Sequence, residues 1–232
     1  MTMQFSRRSF LVGTSLVGAS AVSACSTVPA PRIAASPPPP VEPAQAERPE
    51  PVGFDYPAIY AGREDDGYQL PAIPYQKVDQ RFLRQLVADP TGEVPGTIIV
   101  DTAQKLLHFV LKDGMAMRYG VGLGRQGYSW KGRAVVQWKR KWPTWTPPDA
   151  MIKRDPKLEK WRNGMPPGLS NPLGCRALYI FQNGEDTLYR IHGSPDWQSI
   201  GKSASSGCVR MFNQDVIDLY GRVPSKTPLL VI

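Results

Sequence analysis

The 232 residues include three cysteines, Cys25, Cys175 and Cys208, and two histidines, His108 and His192. One pairing can do chemistry. His192 lies in Ile191-His192-Gly193-Ser194, and Cys208 follows in Ser205-Ser206-Gly207-Cys208-Val209-Arg210-Met211. A free thiol is only a few per cent thiolate at neutral pH, so a nucleophilic cysteine needs a base. A neighbouring imidazole takes the proton and can hold the thiolate as an ion pair. Pro195, Gly201 and several serines between the two residues allow the chain to fold back and bring them together. Gly207 permits a sharp turn beside Cys208, where backbone N–H groups can face an oxyanion.

Each of these residues also has an ordinary reading. Cysteine is often a small buried hydrophobe, Ser-Ser-Gly is a common turn, and Arg210 can be a surface charge. Cys175, after Pro172-Leu173-Gly174 and before an apolar strand, is expected to be structural and unpaired. His108 sits in an apolar run and is expected to be a core histidine. No paired Cys/His ligand spacing occurs, so zinc is not expected.

The elements that must position this pair read mainly as β. Thr97 to Val100, Leu107, Phe109 and Leu111, which alternate with their neighbours as a half-buried strand should, Ala116 to Val121, Arg133 to Trp138, Ala177 to Phe181, Thr187 to Ile191 and Leu229 to Ile232 have strand character. Asp113-Gly114 suits a hairpin turn. Helices are expected over Asp79 to Val87, capped by Asp79, over Lys153 to Trp161, and over Gln214 to Arg222. Asn213 should cap the last of these, and Val216, Leu219, Tyr220 and Val223 should share one face. Trp142 to Pro148 reads as an ordered loop, a rigid plug or a binding wall. The pattern as a whole predicts a mainly β sandwich or barrel with a few short helices.

The combination of Ile-His-Gly-Ser with Ser-Ser-Gly-Cys-Val-Arg-Met, followed by Asn213 and Asp215, closely resembles the L,D-transpeptidase (YkuD-type) catalytic domain. Asn171-Pro172-Leu173-Gly174 before an apolar strand fits the same family. The resemblance runs from about Gly96 to Ile232. It implies a cysteine acyl-enzyme, with Cys208 as nucleophile, His192 as proton donor and acceptor, and the Gly193 carbonyl orienting the imidazole. It places Arg210, Ser206 and Gly207 in substrate binding. Ser206 stands where some members carry histidine. The implied substrate is a peptidoglycan stem peptide, and the implied mechanism needs no metal or organic cofactor. The acceptor is a diaminopimelate amine, a lysine of a cell-wall-attached lipoprotein, or water, the last giving a carboxypeptidase or amidase. A sortase-like enzyme would place its cysteine well before its arginine, whereas Arg210 follows Cys208 by two residues. A non-catalytic cell-wall-binding lipoprotein would have no reason to keep His192 and Cys208 together.

The N-terminus reads as an address. Arg7-Arg8 precedes an apolar run from Phe10 to about Val22, too short for the ~20 residues that span a bilayer. This describes a signal peptide over residues 1–24, of the twin-arginine type. Val22-Ser23-Ala24-Cys25 resembles a lipobox, which implies lipidation of Cys25 and a membrane anchor, outer rather than inner, facing the periplasm. A proline-rich segment, with Pro37 to Pro40 unbroken, suggests an extended disordered tether over 25–57. Residues 58–95 read as an N-terminal extension and 96–232 as the catalytic domain. The net charge of +8 suits an anionic cell wall. No basic run interleaved with aromatics points to nucleic acid, and a monomer is expected.

Overall fold

A computed structural model describes residues 53–124, 131–205 and 207–232. The signal peptide, Cys25, most of the proline-rich segment and Ser206 lie outside the described residues. Helix α1 (Tyr56–Ile59) is followed by the hairpin β1 (Arg63–Asp65) and β2 (Tyr68–Leu70). Then come β3 (Gln85–Ala88), β4 (Ile98–Asp101), β5 (Leu106–Val110), β6 (Met115–Gly120), β7 (Leu123–Gly124) and β8 (Gly132–Lys141). Helix α2 (Asp149–Arg154) precedes β9 (Arg176–Gln182), β10 (Glu185–Ser194), β11 (Ser203–Ser205) and β12 (Val209–Phe212). Helix α3 (Asn213–Arg222) and β13 (Thr227–Val231) close the chain.

The fold is mainly β, as the alternating runs predict. Nine strands form one mixed sheet in the order β12-β10-β9-β8-β13-β4-β5-β6-β3. The sheet curls until its ends nearly meet. Beyond β6, Gly122 pairs with Arg210 of β12 through two backbone hydrogen bonds of 2.9 and 2.8 Å. Nearby, β7 pairs with β11. The curl encloses a core that includes Val100, Leu107, Phe109, Tyr119, Val136, Ile180, Ile191, Val209 and Met211. Helix α3 covers part of it with Val216 and Leu219, joined by Val223 just past its end, all fully buried, while Tyr220 packs at the margin. The β5–β6 hairpin turns at Asp113 and Gly114, whose φ angles of 59° and 67° match the twist of the flanking strands.

Four local expectations are corrected. Asp79 to Val87 is not a helix: a 3-10 turn spans Gln80–Phe82, with the Asp79 carboxylate accepting from the Arg81 N–H at 3.0 Å. The chain then extends as β3 and pairs with β6. The open edge of β6 satisfies this backbone better than a lone helix would, so tertiary pairing overrides local preference. The stretch Lys153 to Trp161 is broken into α2 and a 3-10 segment, Pro156–Trp161. Pro156 lacks an N–H and pushes Asp155 into extended backbone. Strand β5 is not half-buried; every residue in it is buried, because Leu106, His108 and Val110 on its second face are covered as well. Finally, Asn213 does not cap α3. Phe212 holds that position without a side-chain cap bond, and the Asn213 side chain turns inward.

Candidate functional site

Strands β10 and β12 carry the chemistry. They pair in parallel, with Ile191 opposite Val209, His192 opposite Arg210 and Gly193 opposite Met211. Alternation along a strand sends Ile191, Val209 and Met211 to the core. His192, Arg210, Arg190 and Cys208 therefore share the other face. Cys208 immediately precedes β12, level with Arg190 and one pleat from His192.

His192 is buried at 4% exposure, and its Nδ1 lies 2.6 Å from the Gly193 carbonyl oxygen. A carbonyl only accepts, so Nδ1 carries the hydrogen and Nε2 is left as the acceptor. Burial pushes this imidazole down to about 4; the Gly193 carbonyl pulls the other way, while the charges of Arg210 and Arg190 add to the fall. Burial likewise pushes the Cys208 thiol up, opposed by a backbone hydrogen bond from Arg190 and by the guanidinium charges of Arg190 and Arg210. Burial of both groups thus works against a resting thiolate–imidazolium pair.

Asn213 fixes the junction behind the pair. Its Oδ1 accepts from the Cys175 N–H at 3.1 Å, and its Nδ2 donates to the Ser194 carbonyl at 3.2 Å. The Asn213 amide oxygen occupies the space that a Cβ on Gly193 or Gly174 would need. Both positions thus require glycine, and the Gly193 carbonyl is held where it meets the imidazole. Cys175 is fully buried, its Sγ 3.6 Å from the Asn213 carbonyl, and burial pushes its thiol up to about 12. Neither Cys175 nor Cys208 forms a disulfide.

Cys208 and Gly207 open into a groove of about 670 Å³, within the usual size of small-ligand pockets. One wall is the Trp/Pro loop, through Trp145, Pro147 and Pro148; Tyr179, Tyr189 and Arg190 line the strand side. The loop is pinned. Trp145 and Met165 exchange backbone hydrogen bonds of 3.0 and 2.7 Å, and the Asn171 amide donates to the carbonyls of Pro143, Met165 and Pro166. Trp142 faces away from the groove. It stacks on Tyr68 at 3.9 Å and donates to Asp65, which also holds Arg176 through two hydrogen bonds. Gly207 has a φ of 144° and packs against the Tyr189 ring, so its glycine identity is set by both backbone and space.

Of the residues singled out in the sequence, Cys208, His192, Gly193, Gly207 and Arg210 come together. Arg210 is half-buried, and among the described residues no carboxylate pairs with it. His108 sits on β5 between Ile99 and Arg118, outside the groove lining. Arg190 was not singled out, although its spacing of two from His192 places it on the same strand face. Among the described residues no group of three or more His, Cys, Asp or Glu side chains could hold a metal.

The L,D-transpeptidase catalytic-domain model matches residues 95–231. The probable L,D-transpeptidase ErfK/SrfK of Escherichia coli K12 is 32% identical over 139 residues, covering 58% of this chain and 43% of that protein. A putative L,D-transpeptidase of Fuscovulum blasticum is 29% identical over 142 residues, covering 58% of this chain and 68% of that protein. The chain thus matches less than half the length of the first of these relatives. Among solved structures, a Brucella melitensis chain described as a probable carnitine operon oxidoreductase is 45% identical, with 65% of this chain and 94% of that chain covered and a TM-score of 0.48. The L,D-transpeptidase of Xylanimonas cellulosilytica is 18% identical, with 62% and 63% covered and a TM-score of 0.44.

Proposed function

We propose that this chain, which belongs to the L,D-transpeptidase catalytic-domain family, transfers acyl groups of peptidoglycan stem peptides through a thioester on Cys208. The observation that carries the reading is the pairing of β10 with β12, which sets Cys208 and His192 on one strand face beside a groove. The Sγ attacks the carbonyl of the third stem residue as its proton passes to His192 Nε2. The C–N bond to the terminal D-alanine breaks, and the imidazolium returns the proton to the departing amine. An acceptor amine then attacks the thioester and regenerates the thiol. A diaminopimelate side chain as acceptor gives a 3→3 crosslink, and a lysine of a cell-wall lipoprotein gives an attached protein. Water as acceptor makes the same site a carboxypeptidase. Burial of both groups suits a sequence in which the proton moves as the new bond forms. The charges of Arg190 and Arg210 favour the thiolate and the oxyanion as they develop.

The same reading makes Cys25 a lipid anchor and the proline-rich segment a tether that carries the domain into the periplasmic wall. Mass spectrometry of muropeptides incubated with the purified protein tests the function. Crosslinked dimers or tripeptide products that depend on Cys208 are expected. Unchanged tetrapeptides under conditions where a control transpeptidase turns over would count against it.

A further inference from the structure

Arg190 stands on the groove floor level with Cys208 and is held in an unusual way. Its Nη1 and Nη2 donate end-on to the two Asp186 carboxylate oxygens at 2.7 and 2.8 Å, and Nη1 also donates to the Tyr189 carbonyl at 2.8 Å. The guanidinium lies 4.3 Å above the Tyr179 ring, whose other neighbour is the Trp138 ring, stacked at 3.6 Å. Residues four apart in a regular strand are ~13 Å apart. The contact exists because the β9–β10 ladder breaks between Asp186 and Arg190. Thr187 anchors the break by donating to the Ile180 carbonyl, and Leu188 adopts a φ of 61°. Leu188 is 70% exposed, so this strain brings no packing return at Leu188 itself. Bulges of this kind re-aim side chains beside active sites.

The hydrogen bonds leave one edge of the guanidinium. Five N–H groups are present; three are used, two on Nη1 and one on Nη2. The Nε–H and the remaining Nη2–H form a second parallel fork, which among the described residues meets no acceptor. A fork of that shape is matched by a carboxylate. We propose that Arg190 is a specificity-determining residue that takes a carboxylate of the acyl donor on this Nε/Nη2 edge, with Asp186 and Tyr179 holding the fork in place. The proposal rests on the groove being the donor site. A stem tetrapeptide offers two such carboxylates, the terminal one of the leaving residue and the side-chain one of the third residue.

Calorimetric binding to the full chain carrying Cys208→Ala separates the two sources and does not depend on turnover. Three probes are compared: the tetrapeptide with all carboxylates free, its C-terminal carboxamide, and its third-residue side-chain carboxamide. One carboxamide is expected to bind about tenfold or more weakly. Adding Arg190→Lys, which keeps the charge and a partner for Asp186, should shrink that discrimination to within about twofold. Arg190→Gln should do the same, and its melting curve reports whether it folds. Discrimination that survives Arg190→Lys, or equal binding of all three probes, would overturn the proposal. Failure of the Cys208-intact protein to form an acyl-enzyme would instead sink the transpeptidase reading and leave the binding preference standing.

Discussion

Asn213→Ala removes the side chain that ties α3 to the start of β9 and the end of β10. The wild-type amide receives the Cys175 N–H and donates to the Ser194 carbonyl, and all three residues are buried. Truncation leaves both backbone groups without a partner, each costing about 1–3 kcal/mol. It also empties the space beside Gly174 and Gly193. A loss of about 3 kcal/mol is expected, or roughly 6–12 °C in Tm for a domain of this size. Asn213→Asp keeps an acceptor for Cys175 but turns a second oxygen toward the Ser194 carbonyl, so it should be no better than alanine at neutral pH. Differential scanning calorimetry reads the stability. The rate of carbapenem acylation reads the site, because Gly193 and its carbonyl lose their backing. That rate should fall in the folded Asn213→Ala protein at a temperature well below its transition. A Tm within about 2 °C of wild type would show instead that water or backbone shifts satisfy Cys175 and Ser194.

Arg84→Leu should cost about 3–5 kcal/mol, because it leaves the buried Asp215 carboxylate without its 2.9 Å ion pair. Burial already pushes Asp215 up to about 6. A raised carboxyl binds its proton more tightly in the folded state, so its contribution to stability is lost as pH rises. Urea titrations should therefore show the variant recovering part of the loss between pH 8 and pH 5; a loss that grows on acidification would contradict this. The His192 imidazole, lowered to about 4, is neutral across pH 5 to 8, so its protonation should not reduce acylation in that window. A rate that halves near pH 6.5 would mean the imidazole is solvated, not buried. His192→Ala should slow acylation by about 10²-fold or more. Cys175, with its thiol up at about 12, should resist iodoacetamide until the protein unfolds, while Cys208 is labelled in the native state; equal labelling would place Cys175 at the surface.

The site was legible where its chemistry is local. Ile-His-Gly-Ser contains both the imidazole and the carbonyl that orients it, and Gly207-Cys208 contains the turn that exposes the thiol. Arg190 was legible in principle, since strand alternation puts it on the face of His192, but its weight comes from Asp186 across a bulge that no period-two pattern reveals. Asn213 at a helix start has the chemistry of a cap. Only the tertiary fold, which brings Cys175 and Ser194 to it, shows that it turns inward. The helix expected over Asp79 to Val87 failed for a related reason: the partner that makes β3 a strand is β6, beyond the reach of local propensity. Arg84 and Asp215 likewise meet only through the fold, so nothing near either residue in the sequence marks the pair that joins the N-terminal extension to α3.

Capture of an acyl group on Cys208 can be read without turnover. A carbapenem offers a strained acyl donor, and intact-mass analysis of the full chain after incubation reads its capture directly. One adduct is expected, mapped to Cys208 by peptide digestion, slowed in His192→Ala and absent in Cys208→Ala while that variant melts like wild type. An adduct on Cys175, or one that forms undiminished in Cys208→Ala, would contradict it.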